Sequence, residues 1–375
     1  MPVRHRWVPG LTRATTSGGA NVVTEPRMLD SPGRQAANAH DGMKPSSRPR
    51  GRYAPSPTGP VHVGNARSAL AAWLSVRRRG GTFVWREEDL DPPRVIPGMA
   101  AAQRADLAWL GLDWDEGPDV GGPFGPYRQS ERSALYEAAL AELAAAGRLF
   151  PCRRSRRELA ECAAIASAPH GADGLPPYPA AWRPRRLPAD WFAALCSAPR
   201  PDAALRFRAG AEEVRFVDRV QGEQVERVDL TVGDFVLKRR DGLYAYQLAV
   251  VVDDLRMEID EVVRGADLLA STARQAQLLA ALGGRRPAYA HVPLMLAAGG
   301  EKLSKRDPAL TLSGLRAAGA RPGQVTGYLA WSLGLLEAPR ACLPGELAAA
   351  FDWRRIGRDG FEVPADLTAR VLAVR

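Results

Sequence analysis

Residues 52–67 contain the feature that most restricts what this chain can fold into. They read Arg-Tyr-Ala-Pro-Ser-Pro-Thr-Gly-Pro-Val-His-Val-Gly-Asn-Ala-Arg. Arg52 to Ala54 suit a short strand, but the three prolines and the glycine that follow prevent regular structure until an apolar helical spacing begins near His62. The sequence therefore predicts a strand that ends in a rigid loop, with a helix beginning directly after the loop.

The helix after this loop is predicted by its apolar spacing. Apolar residues follow Ala66 at i+3, i+4, i+7 and i+8, and Gly80-Gly81 ends the pattern. In the first turn, unpaired backbone N–H groups and the positive end of the helix dipole favour a phosphate, and Gly64 lets the backbone approach it. We interpret this turn as a nucleotide site. The alternative, from the loop alone, is an ordinary surface turn in which His62 caps the helix.

A second basic loop lies about 240 residues downstream, at residues 299–306, and reads Gly-Gly-Glu-Lys-Leu-Ser-Lys-Arg. Its two lysines, Lys302 and Lys305, flank Ser304 and can reach phosphate oxygens as mobile point charges. Such charges stabilise the negative charge that develops on a departing phosphate. Taken alone, a basic loop of this kind is more often simply solvated.

Together the two loops resemble the paired nucleotide motifs of class I aminoacyl-tRNA synthetases. Residues 62–65 are similar to the family's HIGH tetrapeptide and residues 302–306 to its KMSKS loop, and residues 52–59 resemble the branch that handles glutamate. The resemblance implies an α/β fold with a Rossmann-type nucleotide-binding domain, and ATP used as a substrate with Mg²⁺. It implies catalytic roles for His62, Lys302 and Lys305, and ATP contacts from His62, Gly64, Asn65, Lys302, Ser304 and Lys305.

The resemblance also implies a glutamate pocket. Glu88 follows a predicted strand at residues 82–86 and would contact the amino group of the substrate, whereas Arg264 would hold a carboxylate through two parallel hydrogen bonds. The alternatives are a solvated acidic turn for Glu88, a surface ion pair for Arg264 and a simple core role for Tyr246. The implied set is Arg52, Tyr53, Ala54, Pro55, Ser56, Glu88, Tyr246 and Arg264.

The segment after residue 150 departs from the family pattern. Relatives carry a zinc site here, whereas this chain keeps only Cys152 and Tyr178 and has Arg154 and Trp182 where two cysteines would stand. Structural zinc needs four N, S or O ligands, and neither replacement can serve. We therefore expect no zinc, and we expect packing around Trp182 to hold this segment together.

Other elements follow from local patterns. We expect a helix at 99–110, and a second helix that ends near Gly147 and has Ser130 as its N-cap. Residues 205–208 and 214–217 are predicted strands of an insertion, residues 243–252 are a buried strand or helix, and residues 291–296 are the last core strand.

Composition adds little to this. The net charge of +9 suits a polyanionic partner, but residues 1–50 alone hold eight Lys or Arg against three Asp or Glu. The four cysteines are scattered, which favours a reducing cytoplasm over a disulfide framework. No apolar run approaches the roughly 20 residues of a membrane span, so we expect no membrane association.

The predicted organisation has five parts. A disordered basic extension covers 1–48, the two halves of the catalytic domain cover 49–135 and 233–310, an inserted α+β domain that resembles an acceptor-binding domain covers 136–232, and a short helical segment covers 311–375. Only about seventy residues follow the second loop, too few for the anticodon-binding region of full-length relatives.

With so short a C-terminal part, the chain resembles a truncated branch of the family. Its members activate L-glutamate without tRNA and attach it to the queuosine base in the anticodon of tRNA(Asp), and the resemblance implies the same partners and a monomer here. Two alternatives stay open. One is a shortened synthetase that charges a tRNA 3′ end, and the other is a non-catalytic module that binds a nucleotide or RNA.

Overall fold

The computed structural model describes residues 48–155, 157–159, 177–197, 202–301, 303 and 307–375, with only the backbone of residues 298 and 308. All of these lie in one compact unit, residues 44–375. The extension predicted at 1–48 falls almost wholly outside the described residues. So do Lys302, Ser304, Lys305 and Arg306 of the second basic loop.

A six-stranded sheet forms the centre of this unit. The strands of the described residues are, in chain order, β1 (Arg50–Tyr53), β2 (Thr82–Trp85), β3 (Leu149–Cys152), β4 (Ala204–Phe207), β5 (Val214–Asp218), β6 (Gly222–Glu226), β7 (Phe235–Lys238), β8 (Glu261–Gly265), β9 (Ala288–Val292), β10 (Met295–Leu296) and β11 (Phe361–Glu362). The order in the six-stranded sheet is β2-β1-β8-β9-β5-β6, with every neighbouring pair parallel except the β5–β6 hairpin at one edge.

Helices cover the sheet and connect its strands. In chain order they are α1 (Val63–Arg77), α2 (Met99–Leu110), α3 (Ser133–Ala145), α4 (Trp191–Cys196), α5 (Val228–Thr231), α6 (Tyr246–Arg256), α7 (Thr272–Ala281), α8 (Leu312–Ala317), α9 (Pro322–Ser332), α10 (Pro344–Ala348) and α11 (Leu367–Leu372). The open α/β fold is the one that the sequence predicts. The apolar run at 243–252, left open between strand and helix, contributes most of α6.

Sheet membership differs from expectation in the middle of the chain. Strand β4 pairs with β3 and β7 in a separate three-stranded antiparallel sheet, whereas β5 pairs with β9 and so extends the central sheet. Both strands were expected in the insertion, and this is wrong for β5. The physical reason is a long-range contact, because Asp218 at the end of β5 bonds to His291 of β9 and Phe216 packs edge-on against Tyr289.

The start of α3 also differs from expectation. Its N-cap is Arg132 and not Ser130, because Ser130 lies in a short 3-10 turn and its N–H and hydroxyl both donate to Asp89. The Ser130 hydroxyl therefore binds the acidic segment 87–91 and does not cap α3. In the C-terminal part, Trp331 and Trp353 pack against the core cluster that includes the apolar face of α1. In the part of the chain that the structure describes, every helix is too short or too polar to cross a membrane.

Candidate functional site

The loop after β1 is fixed by its neighbours on both sides. The chain after β2 continues beside it, with Arg86 N–H donating to Tyr53 O at 3.1 Å and Glu88 N–H donating to Pro55 O at 3.0 Å. The side-chain amide of Gln103 in α2 donates to Ser56 O at 3.1 Å and to Gly59 O at 2.7 Å. Because prolines restrict the backbone and these bonds hold its carbonyls, the loop is a preformed cradle at the carboxyl end of the sheet.

Helix α1 begins where the sequence predicts. His62 is its N-cap, and His62 Nδ1 accepts a hydrogen bond from Asn65 N–H at 3.3 Å. A Cβ on Gly64 would lie 3.1 Å from two ring atoms of His62, so the absent side chain leaves room for the imidazole. The first turn therefore keeps its histidine in a defined place beside backbone N–H groups that favour an anion.

The second basic loop is anchored against this turn from both sides. Before the loop, Met295 lies next to the turn, its Cβ 3.7 Å from a Cβ placed on Gly64. After the loop, Leu312 N–H donates to Val61 O at 2.9 Å. Within the loop, Leu303 is buried in the same core cluster as Val61 and Met295. The described residues on either side of Lys302 and Lys305 therefore converge on the start of α1.

A buried charge network lies beside the cradle and joins Glu88 to Arg52. Arg86 donates to Glu88 at 3.0 Å and to Asp254 at 2.6 Å, and Arg52 donates to Asp254 at 3.2 Å. Burial raises the pKa of Glu88 above its ordinary value, although Arg86 and Arg52 oppose the rise. Burial would also raise the pKa of Asp254, but Arg52 and Arg86 outweigh it and hold that pKa below its ordinary value.

Arg264 stands at the end of β8 with its guanidinium held by three neighbours. Its Nε donates to His291 Nε2 at 3.0 Å, Nη1 donates to Tyr246 Oη at 3.3 Å, and Nη2 donates to Thr272 Oγ1 at 3.0 Å. The surface ion pair considered as an alternative is wrong, since Arg264 is buried and bonds to none of the nearby acids. Tyr246 faces the charges of Arg264, Glu88 and Arg52, so these predicted residues are brought together.

A cleft of ≈ 1140 Å³ opens from this pocket toward the three-stranded sheet. Ser56, Glu88 and Tyr246 line one part of it. The rest of the lining mixes apolar residues with the acids Asp91, Asp234 and Asp241 and with six arginines, namely Arg94, Arg154, Arg206, Arg239, Arg240 and Arg274. The pocket is thus continuous with a wide passage that carries several arginines.

In the region where relatives carry a zinc site, side chains pack against one another. Cys152 Sγ and Tyr178 Oη are 3.3 Å apart, and the Tyr178 ring packs edge-on against Trp182 at 5.5 Å. The Arg154 guanidinium lies 5.0 Å from the Trp182 ring centre, and that of Arg206 lies 4.4 Å from Tyr178. The two residues that replace cysteines therefore contact each other. Among the described residues there is no group of three or more His, Cys, Asp and Glu that could hold a metal.

Several residues of the site were missed by sequence reasoning. Local patterns assign no role to Arg86 or Asp254, since a charged residue at the end of an apolar run is usually exposed. His291 and Asp218 were not singled out at all. The available signal was weak: His291 is a polar side chain inside a predicted buried strand, where it needs a hydrogen-bond partner.

Comparison with protein families places this geometry among known proteins. The model of the class I tRNA synthetase (E and Q) catalytic domain matches residues 49–332. The glutamyl-Q tRNA(Asp) synthetase of Symbiobacterium thermophilum is 50% identical over 321 residues, which cover 85% of this chain and 97% of the relative. The protein of the same name from Nocardia farcinica is 46% identical over 319 residues, with 85% and 94% covered.

Solved structures agree with these relatives. A glutamate tRNA ligase from Elizabethkingia meningosepticum, crystallised in complex with its amino acid, superposes with a TM-score of 0.74 at 28% identity. The match covers 86% of this chain and 68% of the ligase. A glutamate-tRNA synthetase from Elizabethkingia anophelis gives a TM-score of 0.73 at 30% identity, with 86% and 70% covered.

Proposed function

This chain belongs to the family of class I tRNA synthetases that handle glutamate and glutamine, and on that premise we propose that it activates L-glutamate with ATP, without tRNA, and transfers it to the queuosine base of tRNA(Asp). Relatives that share nearly their whole length with it bear the name glutamyl-Q tRNA(Asp) synthetase. The enzyme is a ligase of the aminoacyl-tRNA synthetase type.

One observation carries the proposal: a carboxylate and an arginine fork flank Tyr246 next to the nucleotide cradle. Glu88 offers oxygens to the ammonium group of an amino acid, and Arg264 offers N–H groups to a carboxylate. Glu88 lies on the strand extension that pairs with the cradle at Pro55. An acidic amino acid bound between them would have its α-carboxylate directed toward the start of α1.

The reaction then needs no covalent protein nucleophile. An α-carboxylate oxygen attacks the α-phosphorus of ATP, the bond between the α- and β-phosphates breaks, and pyrophosphate leaves. A hydroxyl of the acceptor next attacks the acyl carbon and AMP departs, while the hydroxyl proton passes to a base or to solvent. The protein contributes positioning and charge stabilisation, which account for large rate enhancements in such transfers.

We assign the phosphate contacts to both motifs. His62, Gly64 and Asn65 would hold ATP at the start of α1, and Lys302, Ser304 and Lys305 would act on the phosphates from the second loop. Lys302 and Lys305 would stabilise the departing pyrophosphate. Mg²⁺ would bind mainly through the phosphates of ATP, as this ion commonly does.

The glutamate contacts are proposed for the same set that the sequence suggests. Arg264 would read the side-chain carboxylate and Glu88 the ammonium group, with Arg52 and Tyr246 completing the charged walls. Tyr53, Ala54, Pro55 and Ser56 would supply the backbone edge of the pocket. Arg52 lies close enough to Glu88 to affect its charge, and an ion pair with Asp254 holds it there. This placement is consistent with Arg52 as part of the pocket wall.

The cleft beside the pocket is consistent with an RNA acceptor. It leads from Glu88 and Tyr246 to the exposed arginines Arg94, Arg239 and Arg240, and such side chains suit a phosphate backbone. We propose that the modified anticodon loop enters here. We also propose that residues 136–232 form an inserted domain between the catalytic halves 49–135 and 233–310, except that the β5–β6 hairpin extends the central sheet and β7 completes the sheet of the insertion. The enzyme would work as a monomer in the cytoplasm.

Transfer of labelled glutamate tests the proposal. The purified protein, ATP and Mg²⁺ are incubated with tRNA(Asp) that carries queuosine or lacks it, and the labelled tRNA is then cleaved to separate the anticodon fragment from the 3′ fragment. We expect label only on queuosine-containing tRNA(Asp), in the anticodon fragment. Label in the 3′ fragment would indicate a shortened synthetase that charges tRNA, and absence of label on every tRNA would contradict the proposed transfer.

A further inference from the structure

Three buried side chains stand in a row across the central sheet. Arg264 of β8 and His291 of β9 are opposite each other in the parallel register, and Asp218 ends the next strand, β5. His291 Nδ1 is 2.6 Å from Asp218 Oδ2, and His291 Nε2 is 3.0 Å from Arg264 Nε. The three residues are at most 6% exposed, so water does not replace these contacts.

This row fixes where the proton of the imidazole lies. Arg264 Nε always carries a hydrogen, so His291 Nε2 must be the acceptor, and the ring proton must be on Nδ1, where Asp218 accepts it. Thr272 Oγ1 lies 3.2 Å from Nε2 and can donate to it as well. Burial lowers the pKa of His291, the positive Arg264 adds to this, and Asp218 opposes it, which keeps the ring neutral.

The same row also fixes which edge of Arg264 remains for a ligand. A guanidinium has five N–H groups, and among the described residues three of them donate to His291, Tyr246 and Thr272. One N–H on Nη1 and one on Nη2 remain. Thr272 Oγ1 lies 3.2 Å from His291 Nε2, so both of these residues lie on the Nε–Nη2 edge of the guanidinium. With Tyr246 on the outer side of Nη1, the two remaining N–H groups form the parallel pair that a carboxylate accepts through both oxygens.

We propose that Asp218 and His291 are positioning residues for glutamate recognition: Asp218 sets the tautomer of His291, and His291 holds Nε of Arg264 so that the Nη1–Nη2 edge faces the side-chain carboxylate. The inference rests on the proposed function and adds two residues that touch no substrate. It makes glutamate affinity depend on a carboxylate that reaches the substrate only through two other side chains.

In Asp218→Asn, a side chain of the same size donates a hydrogen bond to His291 Nδ1, where the aspartate accepts one. Asp218 Oδ1 accepts from the backbone N–H groups of Val220, Gln221 and His291, so the amide oxygen of an asparagine must take that place. The amide NH₂ then faces His291 Nδ1, which becomes an acceptor. The ring proton moves to Nε2, where it points at the Nε–H of Arg264, so the hydrogen bond between the two side chains is lost.

The test compares Asp218→Asn with Gln221→Ala. Gln221 also bonds within this neighbourhood, its side chain donating to His291 O at 3.0 Å, but it has no influence on the tautomer. For Asp218→Asn we expect the glutamate KM in pyrophosphate exchange to rise by about 30-fold or more, because a charge-assisted contact is misdirected, while the ATP KM changes by less than about 3-fold. Gln221→Ala should leave both constants within about 3-fold of wild type. In ¹⁵N-histidine spectra, one ring should change from the Nδ1–H to the Nε2–H tautomer in Asp218→Asn alone.

A second pair of variants covers the case in which Asp218→Asn does not fold. His291→Gln can place an amide oxygen near the former Nε2, whereas His291→Asn is too short to reach Arg264. We expect the glutamate KM of the Asn variant to exceed that of the Gln variant by about 10-fold. Equal glutamate KM values for wild type and folded Asp218→Asn, or for the two His291 variants, would overturn this inference but leave the proposed function intact. Wild-type protein without glutamate-dependent exchange would instead overturn the proposed function.

Discussion

The backbone N–H of Leu312 donates to the carbonyl of Val61 at 2.9 Å, and this bond ties the chain after the second basic loop to the residue before His62. His62 and Thr311 also form an isolated antiparallel bridge. Two segments 251 residues apart in sequence (Val61 and Leu312) therefore meet at the start of α1. This proximity is what the use of both motifs on one ATP molecule requires.

Gly64→Ala is expected to weaken ATP binding. The added methyl group would lie 3.1 Å from the His62 ring, which must move away from its place in the first turn. We expect the ATP KM to rise by about 10-fold with the glutamate KM nearly unchanged, measured by pyrophosphate exchange.

The matched control is Gly345→Ala. Gly345 lies in the first turn of α10, where an added Cβ meets open space. It should leave both constants at their wild-type values. An unchanged ATP KM in folded Gly64→Ala would show that the His62 position does not matter for ATP.

Glu88→Gln is expected to weaken glutamate binding and spare ATP. The amide keeps the shape but loses the charge that attracts the substrate ammonium, and such contacts are worth about 1.5–3 kcal/mol. The glutamate KM should rise by about 10- to 100-fold. Glu131→Gln, at an exposed surface pair with Arg128, serves as the control. A Glu88 variant with wild-type glutamate KM would show that Glu88 does not bind the substrate.

Glutamate affinity should depend on pH through His291. Burial lowers the pKa of His291 below its ordinary 6.5, with Arg264 and Arg52 adding to the effect and Asp218 opposing it. The ring is therefore mostly neutral at pH 7, and affinity should change little from pH 8 to 7. It should fall as the pH drops through the lowered pKa, because a protonated ring has no acceptor for Arg264.

Calorimetry of glutamate binding without ATP measures this dependence. The carboxylates of glutamate stay ionised and its ammonium group stays protonated between about pH 5.5 and 7, so the substrate itself contributes little. Glu88, whose pKa burial raises, adds its own pH dependence, and the His291→Gln variant should lose only the remainder. A decline whose midpoint lies above pH 6.5, or one of equal size in the variant, would contradict the assignment.

Removal of metal should not destabilise the insertion. Arg154 and Trp182 fill the place of two ligands and stack on each other, and Cys152 bonds to Tyr178. We expect the thermal midpoint to be the same with and without EDTA, whereas Trp182→Ala should lower it through the loss of its contacts with Arg154 and Tyr178. A lower midpoint in EDTA, together with bound zinc in the purified protein, would contradict this expectation.

The parts of this protein that local patterns determine were predictable from the sequence. Proline and glycine fix the loop before α1, and apolar spacing places His62 at its N-cap, where the structure has it. The hairpin β5–β6 and the hydroxyl of Ser130 could not be placed in this way. Their partners, His291 and Asp89, are 73 and 41 residues away, and no local preference encodes such pairings.

The candidate site shows the same division. Arg264 and Glu88 were recognised because they occur in segments that resemble known motifs, whereas the residues that hold them were not. Arg86, Asp254 and His291 become meaningful only when four strands and α6 bring them into contact. A single sequence gives the type of each side chain but not the partner that satisfies it once buried.

Glutamate-dependent exchange of pyrophosphate into ATP, measured without any RNA, tests the central claim most directly. The described residues around the second loop, which converge on the start of α1, and the pocket around Tyr246 predict exchange with L-glutamate, and far less with L-glutamine, which lacks the second carboxylate that Arg264 would bind. Folded protein that gives no exchange with glutamate, or equal exchange with both amino acids, would contradict the account.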